Sequence, residues 1–226
     1  MPADMNEYFS RQIKLWGENT QKLLSTKKIA IIGCGGLGST LAITLGSSGI
    51  GEIHLVDFDT VSIHNIHRQI AFKMSDEGRL KCECVEELIA SRYDGVKLIT
   101  YAESFEEFAK KGLSFDLLID ATDNLPTRAQ LEEYAKSKNM PWLYASVEEW
   151  HGQVCLFKNA QYAKSFVIND RKPAGIAPPI VAFIASFEAN IALRYLAGLE
   201  VAPDVLNYLY FDATGQLVHK AYKMQS

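Results

Sequence analysis

The stretch Gly33-Cys34-Gly35-Gly36-Leu37-Gly38 places glycines at the three fixed positions of G-x-G-x-x-G, namely Gly33, Gly35 and Gly38. Glycines permit a tight turn and let phosphate oxygens approach bare backbone. A helix starting there adds free N–H groups and partial positive charge. Asp57 stands 19 positions after Gly38, where a carboxylate accepts hydrogen bonds from ribose hydroxyls. Further along come Asn65, Arg68, Gln69, Lys81 and the pair Asp123-Asn124; Arg11 is an isolated cation near the start. Arg and Lys neutralise phosphate charge in a transition state. Asp123 suits a Mg²⁺ ion held through a carboxylate and waters. Two or three cations and an acid beside such a loop suit triphosphate handling. The loop alone leaves NAD, FAD, S-adenosylmethionine and ATP open.

These residues need elements that bring them together. Residues 1–26 read as a helical arm broken near Gly17. Lys27 to Ile32 is a compact apolar run ending in glycines, a buried strand. Leu37 to Ser48 has helical spacing, and Glu52 to Asp57 is a second strand. A polar loop spans Phe58 to Phe72. Ser75-Asp76-Glu77 reads as the capped start of a helix running to about Ser91. Strands follow at Val96–Tyr101 and Phe115–Asp120. A helix begins at Pro126 and ends near Asn139, and Trp142–Ser146 is a strand. This alternation predicts an α/β fold with a doubly wound, mostly parallel, Rossmann-like sheet. In such sheets ligands bind at the carboxyl edge, where Asp123-Asn124 falls.

After residue 150 the pattern changes. Gly152–Lys158 alternates like a strand. Ile180–Gly198 is a helix apolar nearly all round, which predicts burial. Residues 208–222 read as a β-hairpin. The sheet is therefore expected to continue with antiparallel strands at its C-terminal end. The expected organisation is one unit over residues 1–226, with parts 1–26, 27–150 and 151–226.

Composition narrows the classes. The 226 residues carry 23 Lys+Arg and 27 Asp+Glu, a net charge of −4, which argues against general nucleic-acid affinity. The apolar run Ala177–Phe187 is shorter than the roughly 20 residues of a membrane span. No signal peptide is legible, and four scattered cysteines point to a reducing compartment, so a cytoplasmic location is expected.

Phe9-Ser10-Arg11-Gln12-Ile13, the Gly33–Gly38 loop, Asp57-Phe58-Asp59-Thr60-Val61, Asn65-Ile66-His67-Arg68-Gln69, Lys81 and Ala121-Thr122-Asp123-Asn124 resemble, in this order, the ThiF/MoeB/HesA family of bacterial relatives of ubiquitin-activating enzymes. The resemblance runs from about residue 8 to the C-terminal hairpin. It implies an adenylyltransferase that uses ATP and Mg²⁺. The substrate it implies is a ubiquitin-like sulfur-carrier protein ending in Gly-Gly, as in thiamine or molybdopterin synthesis. By motif match, Gly33, Gly35, Gly36 and Gly38, with Asp57, Asp59, Gln69 and Asn124, hold the nucleotide. Asn65, Arg68 and Lys81 serve the phosphates, and Asp123 organises Mg²⁺. Arg11 reaches into a neighbouring subunit's site, which implies a homodimer.

The chain departs from the family in its cysteines. Many relatives carry two Cys-x-x-Cys pairs for zinc; here the close pair is Cys82-Glu83-Cys84, so no zinc site is expected. Many also place a cysteine where Arg171 stands, within Asp170-Arg171-Lys172-Pro173-Ala174-Gly175. Cys34 and Cys155 read as packing residues. Adenylation without a covalent cysteine is the expectation. His64 and His67 read as solvated or capping groups. Three other readings stand beside this one. An NAD- or FAD-dependent oxidoreductase would leave Arg68, Lys81 and Asp123 without a task. A non-catalytic nucleotide-binding relative and a dehydratase acting on a modified tRNA adenosine complete the set, the latter disfavoured by the acidic charge.

Overall fold

The computed structural model describes residues 5–166 and 174–226. In chain order the elements begin with α1 (Met5–Tyr8), α2 (Ser10–Leu24), β1 (Lys28–Ile32), α3 (Gly36–Gly46), β2 (Glu52–Val56) and α4 (Ile63–Ile66). A 3-10 turn, Met74–Asp76, precedes α5 (Lys81–Arg92) and β3 (Lys97–Tyr101). Then come α6 (Phe105–Ala109), β4 (Leu117–Asp120), α7 (Leu125–Ser137), β5 (Trp142–Glu148) and β6 (His151–Phe157). The chain closes with α8 (Tyr162–Ser165), α9 (Pro178–Leu196), β7 (Val205–Phe211) and β8 (Leu217–Lys223).

One eight-stranded sheet has the order β3-β2-β1-β4-β5-β6-β7-β8. From β3 to β5 all pairs are parallel. From β5 to β8 they are antiparallel. This is the doubly wound sheet with an antiparallel extension that the sequence predicts. The winding reverses between β1 and β4, and a crevice opens beyond their carboxyl ends. The central parallel strands β1 and β4 are mostly apolar and buried because both of their faces are covered. Leu41 of α3, Val85 of α5 and Ile184 of α9 pack with Ile29 and Ile31 on one face. Phe108 of α6, Leu131 of α7 and Tyr162 of α8 pack with Ala30 and Ile32 on the other.

The N-terminal arm turns sharply at Gly17, whose φ is 85°. Its two halves are pinned to one carbonyl: the side chains of Gln12 and Gln21 both donate to Ser48 O at 3.0 Å.

Two expectations are corrected. The helix expected to open at Ser75 begins at Lys81. Gly78 adopts φ 82°, and residues 78–80 pair with the segment after β2, Val61 N donating to Arg79 O at 2.8 Å. A bridge between Thr60 and Leu80 continues this pairing. The tertiary contact overrides the local capping signal. The apolar segment expected to fall short of a membrane span belongs to a 19-residue helix with mean hydropathy 1.3. That helix, α9, carries Glu188 and Arg194 and packs inside the chain, with Ile184 and Ala185 fully buried.

Candidate functional site

The glycine turn joins β1 to α3 at the point where the winding reverses. Gly33 has φ +96°, and a side chain there would lie 2.7 Å from Ala121 O, so this position excludes other residues. A Cβ on Gly36 would lie 2.6 Å from Val181 Cγ1. The loop is thus pressed between the turn after β4 and the first turn of α9. Gly38 sits under the loop against Gly33 O. The N-terminus of α3 faces the crevice with no side-chain cap on its free N–H groups.

Asp57 follows β2 and holds the loop from the side. Its Oδ2 accepts from Cys34 N at 2.6 Å and its Oδ1 from Asp59 N at 2.8 Å. Burial pushes this carboxyl up, and the two N–H donors pull it back. Asp59 in turn accepts from Lys81 Nζ, 2.8 Å from Oδ2. Lys81 is the first residue of α5, and its side chain is only 7% exposed. Cys34, Asp57, Asp59 and Lys81 therefore form one hydrogen-bonded chain along the rim.

Asn65 and Arg68 meet across one helical turn, as their spacing predicts. Arg68 Nη2 donates to Asn65 Oδ1 at 3.2 Å, while Nη1 donates to His64 O and meets His67 Nε2. Both histidines are tied to this arginine. Among the described residues no group of three His, Cys, Asp or Glu is placed to hold a metal ion. Gln69 is buried beside the loop, its Oε1 without a partner among the described residues.

Asp123 is exposed on the turn after β4, and no hydrogen bond or ion pair within the described residues engages its carboxylate. Asn124 caps α7 by accepting from Thr127 N at 3.2 Å. A cavity of about 670 Å³ opens over these elements. Gly33, Gly35, Gly36, Asp57, Asp59, Arg68, Gln69, Lys81, Asp123 and Asn124 all line it. Gly38 and Asn65 support it from behind. Arg11 does not take part: it is exposed on α2, away from the cavity lining.

Sequence reasoning missed a second group. Asp120 and Arg128 form a buried ion pair, Nε to Oδ2 3.1 Å, with side chains 0% and 6% exposed, and Arg128 lines the cavity. Burial pushes Asp120 up, yet three donors converge on its carboxylate: Thr122 N, Thr122 Oγ1 and Arg128 Nε. An all-donor surrounding fits the ionised form. The signal was present: an acid closing the apolar run Leu-Leu-Ile-Asp needs a buried partner. Tyr144, Gln153 and His151 extend the lining onto β5 and β6. Gln153 and His151 are there because β6 pairs antiparallel with β5. All four cysteines are buried. Burial raises the thiol of Cys82 to about 11 and lifts Cys34, Cys84 and Cys155 as well. The reading made for Arg171 lies outside the described residues.

The sequence pattern of the ThiF family matches residues 9–225. The chain belongs to the ThiF family. Its relatives in the family include the sulfur carrier protein ThiS adenylyltransferase of Escherichia coli. The two are 29% identical over 210 residues, 85% of this chain and 82% of that protein. The molybdopterin-synthase adenylyltransferase of the same organism is 29% identical over 84% of this chain and 82% of its own length. Adenylyltransferase and sulfurtransferase MOCS3 of Caenorhabditis briggsae is 28% identical over 84% of this ThiF-family chain. This chain spans about half of that longer relative, 51% of its length. Among solved structures, E. coli MccB with ATP superposes with a TM-score of 0.86 at 20% identity, over 100% of this chain and 74% of that one. That likeness establishes the fold.

Proposed function

We propose that this ThiF-family chain adenylates the C-terminal glycine carboxylate of a ubiquitin-like sulfur-carrier protein, using ATP. One observation carries the reading: the glycine turn, Asp57, Arg68, Lys81 and Asp123 line one cavity at the reversal of the sheet. The names of the two E. coli relatives support the carrier as substrate.

The proposed step is a displacement at phosphorus. A carboxylate oxygen attacks the α-phosphorus, the bond to the bridging α–β oxygen breaks, and pyrophosphate leaves with the electron pair. The attacker is ionised near neutral pH, so no general base is needed. Positioning and charge stabilisation remain. Gly33, Gly35, Gly36 and Gly38 supply a backbone surface for phosphates. Asp57 and Asp59 face the ribose side, and Gln69 and Asn124 complete the nucleotide wall. Asn65 orients Arg68; Arg68 and Lys81 offset charge on the leaving group. Asp123 fits Mg²⁺, being an exposed hard oxygen donor with no partner among the described residues; the ion would supply charge neutralisation on phosphate oxygens. The four buried cysteines support adenylation without a thioester on this chain.

A homodimer completes the proposal. Arg11 is exposed and not among the residues lining its own cavity, which suits a role in a second copy's site. Phe58, Ile63, Ile70 and Met74, each 47% to 63% exposed, lie on the connection that carries Arg68. The continuous sheet supports treating residues 1–226 as one unit. A cytoplasmic location goes with the buried reduced thiols.

The test is carrier-dependent exchange of labelled pyrophosphate into ATP. Exchange with a Gly-Gly-ended carrier from the same genome, lost when its last glycine is removed, supports the reading. ATP binding without exchange for any such carrier overturns it.

A further inference from the structure

We propose that Arg128 is a positioning residue for this reaction, clamping the turn that presents Asp123 to the cavity. The inference rests on the adenylation reading. Thr122, the neighbour of Asp123, is held on both sides of its backbone. Its N–H donates to Asp120 Oδ1 at 2.9 Å and its hydroxyl to the same oxygen at 2.7 Å. Its carbonyl accepts from Arg128 Nη2 at 2.7 Å. Arg128 closes the ring by donating Nε to Asp120 Oδ2 at 3.1 Å. A longer arm from Nη2 reaches Ala145 O of β5 at 3.4 Å. Across the turn, Asn124 is fixed by capping α7. Both neighbours of Asp123 are therefore immobilised, while its own carboxylate is exposed and without a partner among the described residues.

The choice of arginine is informative. One planar guanidinium serves the Asp120 carboxylate and the Thr122 carbonyl with separate arms, and its Cζ lies 5.0 Å from the Tyr144 ring. A lysine is a point charge and cannot reproduce that fork. A buried ion pair is weak as a stabilising device, since apolar residues of similar volume often serve as well. Here Arg128 lines the cavity, and its shortest remaining bond, 2.7 Å to Thr122 O, goes to the turn that carries the exposed acid. That is the arrangement of a supporting group that orients a metal-binding carboxylate.

The experiment uses the full chain with ATP, with and without Mg²⁺. ATP affinity is measured by calorimetry and pyrophosphate exchange is followed with the carrier. Arg128→Lys should leave Mg²⁺-free ATP affinity within about twofold. It should weaken the Mg²⁺-dependent gain in affinity by about 10–100-fold, the usual loss when a supporting partner is removed. It should lower kcat more than it raises the KM for carrier. In an Asp123→Asn background, Arg128→Lys should have no further effect on the Mg²⁺ response, because it acts through that carboxylate. If Arg128→Lys does not fold, Thr122→Val removes only the hydroxyl bond and should shift the same Mg²⁺ response in the same direction. Additive effects of Arg128→Lys and Asp123→Asn, or equal loss of ATP affinity with and without Mg²⁺, would overturn the proposal while leaving adenylation standing. A wild-type chain that binds ATP but exchanges nothing overturns the functional reading, and this proposal falls with it.

Discussion

Lys81 grips Asp59 at two points: Nζ lies 2.8 Å from Oδ2, and the Lys81 backbone N–H donates to the Asp59 carbonyl at 3.0 Å. The ammonium is nearly buried, whereas the carboxylate is 55% exposed. A buried cation needs a partner. Asp59 meets that need at the rim and, on the proposed adenylation reading, leaves two ammonium protons for an incoming phosphate.

Lys81→Met should therefore lower carrier-dependent pyrophosphate exchange by about 10²–10³, the scale for removing one charge-stabilising donor. Stability should change little, because the released Asp59 is open to water. Exchange kinetics and thermal melting check this together. A melting temperature that falls with the activity would assign the pair to the fold.

Gly36→Ala drives a methyl group into Val181 Cγ1, 2.6 Å away. Overpacking of this kind costs about 1–3 kcal/mol. It also displaces the phosphate-facing turn, so ATP affinity should fall at least tenfold. Val181→Ala removes the clash, and the double variant should recover part of that affinity. Calorimetric titration of ATP into the three variants measures the coupling.

Glu188 is fully buried on α9, with neither carboxyl oxygen hydrogen-bonded among the described residues. Burial pushes its carboxyl well above the usual range; Asp120 adds to the shift and Arg128 opposes it. The folded form thus keeps a proton that the unfolded chain releases near its ordinary value of 4.5. Stability from this group is complete below that value and declines as pH rises towards the folded-state value, by at most about 1.4 kcal/mol per pH unit. Glu188→Gln should flatten this slope. Urea unfolding of both proteins between pH 5 and pH 8 tests it; parallel curves would count against a neutral Glu188.

The cysteines make a simple chemical prediction. All four are buried with raised thiols, and thiolate is the reactive form. A thiol-reactive disulfide reagent should titrate none of them rapidly in the native chain and four after denaturation. Pyrophosphate exchange should survive the treatment.

Much of the site was legible because its signals are local. The glycine spacing, the acid closing β2 and the single helical turn between Asn65 and Arg68 each need only a short stretch of chain. The expected α5 start failed for the opposite reason. Ser75, Asp76 and Glu77 form a sound capping pattern, but pairing of residues 78–80 with residues 60–61 competes with it and wins. Arg128 was missed because its partner, Asp120, is on a different element. Arg11 was legible as a cation, while its place outside the cavity lining was not.

By itself the amino-acid order determined the strands, their alternation with the longer helices and which polar residue types stand near the glycine turn, since periodicity and turn residues act over a few positions. Only the tertiary structure decided which groups share one cavity. Sheet order and register bring residues 33, 57, 81 and 123 to the same edge, and burial then dictates that Asp120 must find Arg128. Those outcomes follow from long-range packing and desolvation, which no short window of sequence contains.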